Sequence, residues 1–339
     1  MKKKTYGVVL IGCGYIGEEH MHDIYYKENV RLVATVDYNA EQAKLFAKKY
    51  GCGRRVLHGT DWREFVFRED VDIVIIATYP NTHLEIMQAC VEAGKHVLCE
   101  KPMAPTYEEA KEFCRVVKSA KSRVLIAHIL RHNQMYQKAA ELIHSGLIGD
   151  VRLIRMSQNH HITNRPRFMN LLRDCSPIVD CGVHYVDVIR WLTGLEILEV
   201  KGFGAIIDPT IPAGSYDYGM IEMRLSNGGV AHYEASWSAT VAGENLKEFV
   251  GTKGRMRLIL AENRACNKEE GNLIEVYTLD GGYYEINVPG EYKDMYAQLS
   301  CLIDMIETGS EGSPTIDDAL QAFRMVTECD RMVRAELGL

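Results

Sequence analysis

The segment Gly12-Cys13-Gly14-Tyr15-Ile16-Gly17 restricts this chain more than any other. It follows an apolar run, Thr5–Ile11, that reads as a buried strand, and it opens onto Ile16–Lys27, which reads as a helix. The first glycine permits a tight turn, the second lets the backbone approach a bulky anion, and the third lets the helix pack close to the strand. A helix starting here aims backbone N–H groups at the loop, which suits phosphate. Asp37 directly follows the next strand, Arg31–Val36, at the spacing where a carboxylate meets a ribose in dinucleotide-binding units. A glycine-rich turn with no ligand is the competing reading, and the strand before, the helix after and the acid downstream weigh against it. The motif predicts a dinucleotide site touched by Gly12, Cys13, Gly14, Tyr15, Ile16, Gly17 and Asp37. A carboxylate at Asp37 repels a 2′-phosphate, and Tyr38-Asn39 supplies no cation to hold one, so NAD is expected over NADP.

The first third of the chain continues the alternation. Ala40–Tyr50, Thr82–Ala93 and Tyr107–Ala120 read as helices; Asp72–Ala77, His96–Cys99 and Arg123–His128 read as strands. Strands alternating with helices of this length imply a parallel sheet covered on both faces. After residue 128 the pattern changes. A helix at Asn133–His144 and a strand at Asp150–Ser157 lead into a polar, irregular stretch from Gln158 to Ser176. A helix at Pro177–Leu192 follows, and strand-like runs with turn signals at Asn227-Gly228-Gly229 and Asp280-Gly281-Gly282 fill Glu196–Val288. Helices at Lys293–Glu307 and Thr315–Leu337 finish the chain. The expected fold class is α/β: a Rossmann parallel sheet over residues 1–128, then a substrate-binding and oligomerisation α/β domain over 129–339 with a large, mostly antiparallel open sheet. The C-terminal helix has the option of packing back on the first domain.

Bulk properties narrow the function classes. The 339 residues carry a net charge of −7 with both signs interspersed, and no stripe of Lys and Arg suggests nucleic acid. No apolar run reaches the roughly 18–20 residues of a membrane span, and the Met1–Lys4 lead reads as a solvated start rather than a signal peptide. The ten cysteines form no C-x-x-C pair and read as reduced thiols of a cytoplasmic protein.

Two further segments carry chemistry. Glu100-Lys101-Pro102 follows the strand His96–Cys99, at the carboxyl end of a sheet strand where such sheets bind ligands. Asp180, His184 and Asp187 fall at i, i+4 and i+7 of one predicted helix, which puts carboxylate, imidazole and carboxylate on one face. Histidine takes and returns protons near neutral pH, and a neighbouring carboxylate orients its ring. Packing and turn roles remain the alternatives for both segments.

With these residues in view the chain resembles the Gfo/Idh/MocA oxidoreductase family, which includes glucose-fructose oxidoreductase and inositol dehydrogenase. The similarity spans nearly the whole chain: the glycine loop, Ala77-Thr78-Tyr79-Pro80-Asn81-Thr82-His83 (with Tyr79 where proline is common), Glu100-Lys101-Pro102, Asp180-x-x-x-His184-x-x-Asp187 and Gly251-Thr252-Lys253-Gly254. The resemblance implies that Lys101, Asp180 and His184 are catalytic, with His184 the base, Lys101 polarising the reacting oxygen and Asp180 completing the proton path. It implies cofactor contacts from Thr78, Tyr79, Pro80, His83, Glu100 and Lys101, and a hydride passed between the nicotinamide and a carbinol carbon of a sugar, polyol or glycoside. It also implies a homodimer or homotetramer. Polar side chains near the expected cofactor loops are Arg131, His132, Asn159, His160, His161, Asn164, Arg165 and Arg167, of which Arg131 and His160 join Lys101, Asp180 and His184 as expected substrate contacts.

Three other readings compete. His160, His161, Asp174, Cys175, Asp180, Cys181, His184 and Asp187 are metal-ligand types, but their spacing follows no compact zinc pattern, so no metal is expected. Transient oxidation by a retained NAD would serve glycoside cleavage or epimerisation on the same fold. A non-catalytic NAD-binding regulator is the third, and it has no need for Lys101, Asp180 and His184 together.

Overall fold

The structure, a computed structural model, describes residues 4–160, 162 and 164–339; Met1–Lys3 and His161, named above, lie outside the described residues. Two compact units form: Met1–His132 with Lys293–Leu320, and Asn133–Tyr292 with Gln321–Leu339.

The first unit holds strands β1 (Tyr6–Ile11), β2 (Val30–Val36), β3 (Leu57–Gly59), β4 (Ile73–Ile76), β5 (His96–Cys99) and β6 (Val124–Ile126), all parallel, in the order β3-β2-β1-β4-β5-β6. Helices α1 (Tyr15–Ile24), α2 (Ala40–Tyr50), α3 (Arg63–Val66), α4 (His83–Glu92) and α5 (Tyr107–Ser119) make the crossovers. Every residue of β1 and β4 is buried, as expected of central strands covered on both faces. Strand order reverses between β1 and β4, which opens a crevice at their carboxyl ends. Local capping starts the helices where the sequence says. The Asn39 side chain accepts the N–H groups of Glu41 and Gln42, and Thr106 accepts that of Glu109. The short edge strand β3 and the single turn α3 were not expected. Leu57–Gly59 is only three residues long and partly exposed, so pairing with β2 rather than an apolar run defines it.

The second unit begins with α6 (Gln134–His144), β7 (Val151–Asn159), α7 (Arg165–Asp174) and α8 (Pro177–Thr193). Strands β8 (Ile197–Ala205), β9 (Tyr218–Leu225), β10 (Val230–Ser236), β11 (Lys247–Gly251), β12 (Gly254–Ile259), β13 (Asn272–Thr278) and β14 (Tyr283–Val288) follow. The eight-stranded sheet runs β14-β13-β12-β11-β7-β10-β9-β8, antiparallel except between β7 and β10. Gly228 and Gly281 turn the two expected hairpins with φ of 82° and 91°, the left-handed region glycine enters without strain. The irregular stretch expected at 158–176 is corrected by α7. Asn164 caps it by accepting the Arg167 N–H, Pro166 sits in its first turn, and Phe168 and Leu172 bury one face at i and i+4.

Helix α9 (Met295–Thr308) returns to the first unit, so a single division after residue 128 does not describe the chain. The reason is burial: Leu299, Leu302, Ile303 and Met305 enter the core formed by Val8, Leu10, Ile73 and Leu98. Each such side chain contributes about 1.5–3 kcal/mol when buried. Helix α10 (Ile316–Leu337) ends the chain. Among the described residues no helix is long and apolar enough to cross a membrane.

Candidate active site

Gly12 leaves β1 with φ of 99°, and a Cβ there would collide with the Ala77 carbonyl after β4. A Cβ on Gly17 would strike the Gly12 carbonyl, so α1 packs against the loop only because both residues lack side chains. Gly14 differs: it is exposed, and a Cβ there meets nothing within 4 Å. Two glycines thus close the turn and the third keeps its outer side open at the start of α1. This open cradle fits the pyrophosphate of a dinucleotide, held by backbone N–H groups at a helix start.

Asp37 is fixed beside that cradle. Its Oδ2 accepts the Cys13 N–H at 2.8 Å and its Oδ1 accepts the Asn39 N–H at 2.8 Å. Each carboxylate oxygen keeps acceptor capacity for a ribose hydroxyl. Tyr38 is 90% exposed and brings no cation. Cys13 contributes backbone: burial first, then the Asp37 charge, pushes its thiol up to about 12, and its Sγ–H donates to the Val36 carbonyl.

The loop after β4 holds Thr78 and Thr82 with hydroxyls 2.7 Å apart, Tyr79 exposed, and a 3-10 turn at Pro80–Thr82. His83 was expected to touch the cofactor. It is instead fully buried beneath the loop, with Nε2 3.1 Å from the Thr78 carbonyl; burial lowers its pKa and favours the neutral ring. Glu100, also expected at the cofactor, is buried as well. Its carboxylate turns inward, 2.8 Å from Nε2 of His20 on α1, and both side chains are buried. Burial alone raises the Glu100 pKa, but the His20 hydrogen bond and charge, with Lys101, outweigh it and the net shift is downward. Oε2 also accepts the Lys101 N–H at 3.2 Å. His20 therefore ties the helix of the glycine loop to Glu100-Lys101-Pro102, where the Lys101–Pro102 bond is cis. Lys101 itself is half-buried.

Arg131, expected at the substrate, is buried too. Its side chain is 6% exposed, and its guanidinium lies 3.4 Å from Asp318 and donates to Ser313 at 3.1 Å, so its charge is met inside the first unit. His132 is buried there too.

In the second unit, the Ser176 hydroxyl accepts the Val179 N–H to start α8, Pro177 occupies the first turn, and Gly194 ends it in the left-handed conformation. From Pro177 to Ile189 every residue is buried except Asp180 and His184, one turn apart. Two half-exposed polar groups on an otherwise buried stretch of helix form a chemical face rather than a solvated one. Asp187 does not share it equally, being 1% exposed. His160, at the end of β7, joins the start of this helix: its Nε2 lies 3.8 Å from Cys181 Sγ, which lies 3.8 Å from Asp180 Oδ2. Asn159 donates to Glu234 in the sheet, Asn164 caps α7, Arg165 pairs with Asp208, and Arg167 lies over the Phe168 ring. Among the described residues no three His, Cys, Asp or Glu side chains gather as a metal-holding group. Sequence reasoning missed His20 and weighed Cys181 only as a metal ligand; neither carries a local signal, since His20 meets Glu100 from eighty positions away.

The profile of the oxidoreductase family with an NAD-binding Rossmann fold matches residues 6–128, and that of the Gfo/Idh/MocA C-terminal domain matches 136–257. Inositol 2-dehydrogenase of Rhizobium meliloti is 27% identical over 331 residues, covering 96% of each chain. Myo-inositol 2-dehydrogenase of Thermotoga maritima is 26% identical, covering 93% of this chain and 92% of its own. The crystal structure of scyllo-inositol dehydrogenase from Lactobacillus casei with NAD(H) and scyllo-inositol superposes with a TM-score of 0.81 at 25% identity, covering 98% of each chain. The glycine cradle, the Asp37 carboxylate and both domain matches agree: the chain belongs to the Gfo/Idh/MocA oxidoreductase family and is an NAD-dependent oxidoreductase acting on a carbinol.

Proposed function

We propose that the substrate is a cyclitol or closely related polyol and that one ring hydroxyl is oxidised to a ketone, reversibly. The observation that carries this is the pair Asp180 and His184, the two half-exposed polar groups of the buried stretch Pro177–Ile189 of α8, in a chain whose relatives include inositol 2-dehydrogenases. NAD, when bound, accepts the hydride released from the carbinol carbon. His184 takes the hydroxyl proton, Asp180 orients the imidazole and passes the proton on, and Lys101 polarises the reacting oxygen. His160 contributes to holding the polyol. Gly12–Gly17, Asp37 and the Thr78–Pro80 loop hold the cofactor, while His83 and Glu100 support it from beneath.

The test is a spectrophotometric screen of NAD reduction against inositols, sugars and glycosides. Reduction with at least one cyclitol is expected, and His184→Ala should lower turnover per folded, NAD-saturated molecule by roughly two to four orders of magnitude. An unchanged rate in that variant removes His184 from the mechanism. Substrate conversion without net NADH moves the reaction to redox-cycling chemistry.

A homodimer or homotetramer is part of this proposal, through the sheet face opposite α8. Residues in register across the strands mix basic and acidic side chains there: Lys201, Glu222, His232, Arg155, Glu248 and Arg257. A row carrying both signs of charge offers pairs to a second copy related by a twofold axis, and sedimentation velocity measures the association. The ten cysteines, none in a disulfide, support a cytoplasmic setting.

A further inference from the structure

The glycine loop and the Glu100-Lys101-Pro102 turn leave strands β1 and β5, which are not neighbours in the sheet, since β4 lies between them. A side-chain contact joins the two turns. His20 lies in the second turn of α1, the helix that Tyr15 opens, and its Nε2 is 2.8 Å from Glu100 Oε1, with both residues buried. The other carboxylate oxygen, Oε2, accepts the Lys101 N–H at 3.2 Å. The Glu100 N–H itself donates to the Ile76 carbonyl at 2.9 Å, so the sheet holds the chain up to residue 100 and the carboxylate holds it at 101.

A carboxylate is one planar group, so a bond that fixes Oε1 also fixes the direction of Oε2. The net downward shift of Glu100 keeps it ionised at neutral pH, and an ionised carboxylate only accepts, which places a proton on His20 Nε2. The ring's Nδ1 is buried and meets no partner among the described residues. A buried nitrogen left unpaired costs stability, and an apolar side chain would fill the same space without that cost. What the imidazole adds at this place is its hold on Glu100. Without it the buried carboxylate turns toward another donor or draws in water, and Oε2 leaves the Lys101 N–H. A tilt of about 10–20° at the base of the long lysine stem carries its tip by about 1 Å, and a misplacement of that size costs up to about a hundredfold in rate.

We propose that His20 is a positioning residue for the reaction: through the Glu100 carboxylate it sets the backbone at Lys101, and with it the place of the lysine ammonium, from the helix that bounds the pyrophosphate cradle. This role rests on the reading of Lys101 as the group that polarises the reacting oxygen. The rival account makes the buried pair a matter of stability alone. Losing the pair then lowers the folded fraction and leaves each folded molecule as fast as before.

The experiment uses the full-length, NAD-saturated protein with His20→Ala and with His20→Gln, whose side-chain amide reaches as far as Nε2 and donates as it does. Nitrogen-15 correlation spectra of lysine-labelled protein report the Lys101 amide proton, assigned by its loss in Lys101→Arg. Its signal is expected to move upfield in His20→Ala, as the bond to the carboxylate is lost, and to return in His20→Gln. In parallel, kcat for myo-inositol per folded, NAD-loaded molecule should fall about ten- to a hundredfold in His20→Ala and recover to within about threefold in His20→Gln. The Kd for ADP-ribose, which lacks the nicotinamide, should stay within about threefold because backbone groups hold the pyrophosphate. In a Lys101→Met background His20→Ala should cost no further rate, because the two act in series. Multiplying losses in that background overturn the proposal, as does His20→Ala with an unmoved amide signal and rate. Equal losses in Ala and Gln accompanied by lower thermal stability assign the pair to packing and also overturn it. If His20→Ala does not fold, His20→Asn, whose shorter amide leaves room for a water beside the carboxylate, takes its place with the same outcomes. If the wild type oxidises no myo-inositol, or Lys101→Met keeps the full rate, while the amide signal still follows His20, the link to Lys101 stands and the reading of the reaction fails.

Discussion

Replacing Lys247 with Met should stabilise the second unit near neutral pH and flatten its pH dependence on the alkaline side. Lys247 opens β11 and is fully buried, with its Nζ 5.2 Å above the Tyr185 ring. It donates to the Asn245 side-chain oxygen and, at 3.3 Å, to the Asn245 carbonyl. Burial depresses its pKa from 10.5 to about 7, against a weaker upward pull from Glu262. Above the unfolded value both states are neutral and the residue costs nothing. As pH falls toward 7 the unfolded chain binds the proton more readily than the folded one, so the cost grows, and below the folded value it is constant. The full difference corresponds to about 5 kcal/mol, of which about 3 kcal/mol accrues between pH 9.5 and 7. Methionine fills a similar volume without charge, and the loss of two hydrogen bonds to half-buried Asn245 offsets the gain by about 1–2 kcal/mol. Urea unfolding of Lys247→Met and wild type, followed by Trp191 and Trp237 fluorescence in a Trp62→Phe background, reads this directly. The variant should lead by a few kcal/mol at pH 7, and the lead should shrink or reverse by pH 9.5. Parallel stability curves across that range would refute the argument that burial of this ammonium sets its proton affinity.

Two other perturbations test the first unit. Asp37→Ser combined with Tyr38→Arg removes the ribose acceptor and adds a cation, so NAD affinity should fall about tenfold and NADP affinity should rise; calorimetry measures both, and tighter NADP than NAD binding by the unaltered protein contradicts the role given to Asp37. His20→Ala leaves the Glu100 carboxylate buried without its closest partner and should cost about 3–5 kcal/mol at pH 7. Because the His20 hydrogen bond and charge are the largest of the causes that lower the Glu100 pKa below 4.5, the deficit should be full at pH 7 and close as pH falls below that value. A deficit independent of pH, from urea unfolding followed by Trp62 fluorescence, rejects the account in which His20 holds the Glu100 carboxylate.

Much of the fold was legible because its signals are local. An apolar run, a glycine turn, a cap and a left-handed glycine each act within a few residues, so β1, α2, β5, α8 and the hairpins at Gly228 and Gly281 lie where the sequence puts them. The same locality made the glycine loop readable as a nucleotide-binding turn. What the sequence by itself determined is thus the order and type of the main elements, the demand for residues without side chains at Gly12 and Gly17, and the i, i+4 relation of Asp180 to His184. Only the tertiary structure decided which chemistry-bearing side chains turn inward. His83 and Glu100 face the interior because their loops fold over them, Arg131 meets Asp318 from far along the chain, and α9 closes the core of the first unit. Lys247 is buried because β11 pairs with β7 inside the sheet, and His160 meets Cys181 because β7 ends beside the start of α8. Such contacts join residues distant in sequence, and no propensity, period or cap along the chain encodes them. They exist only once packing has fixed the elements against one another.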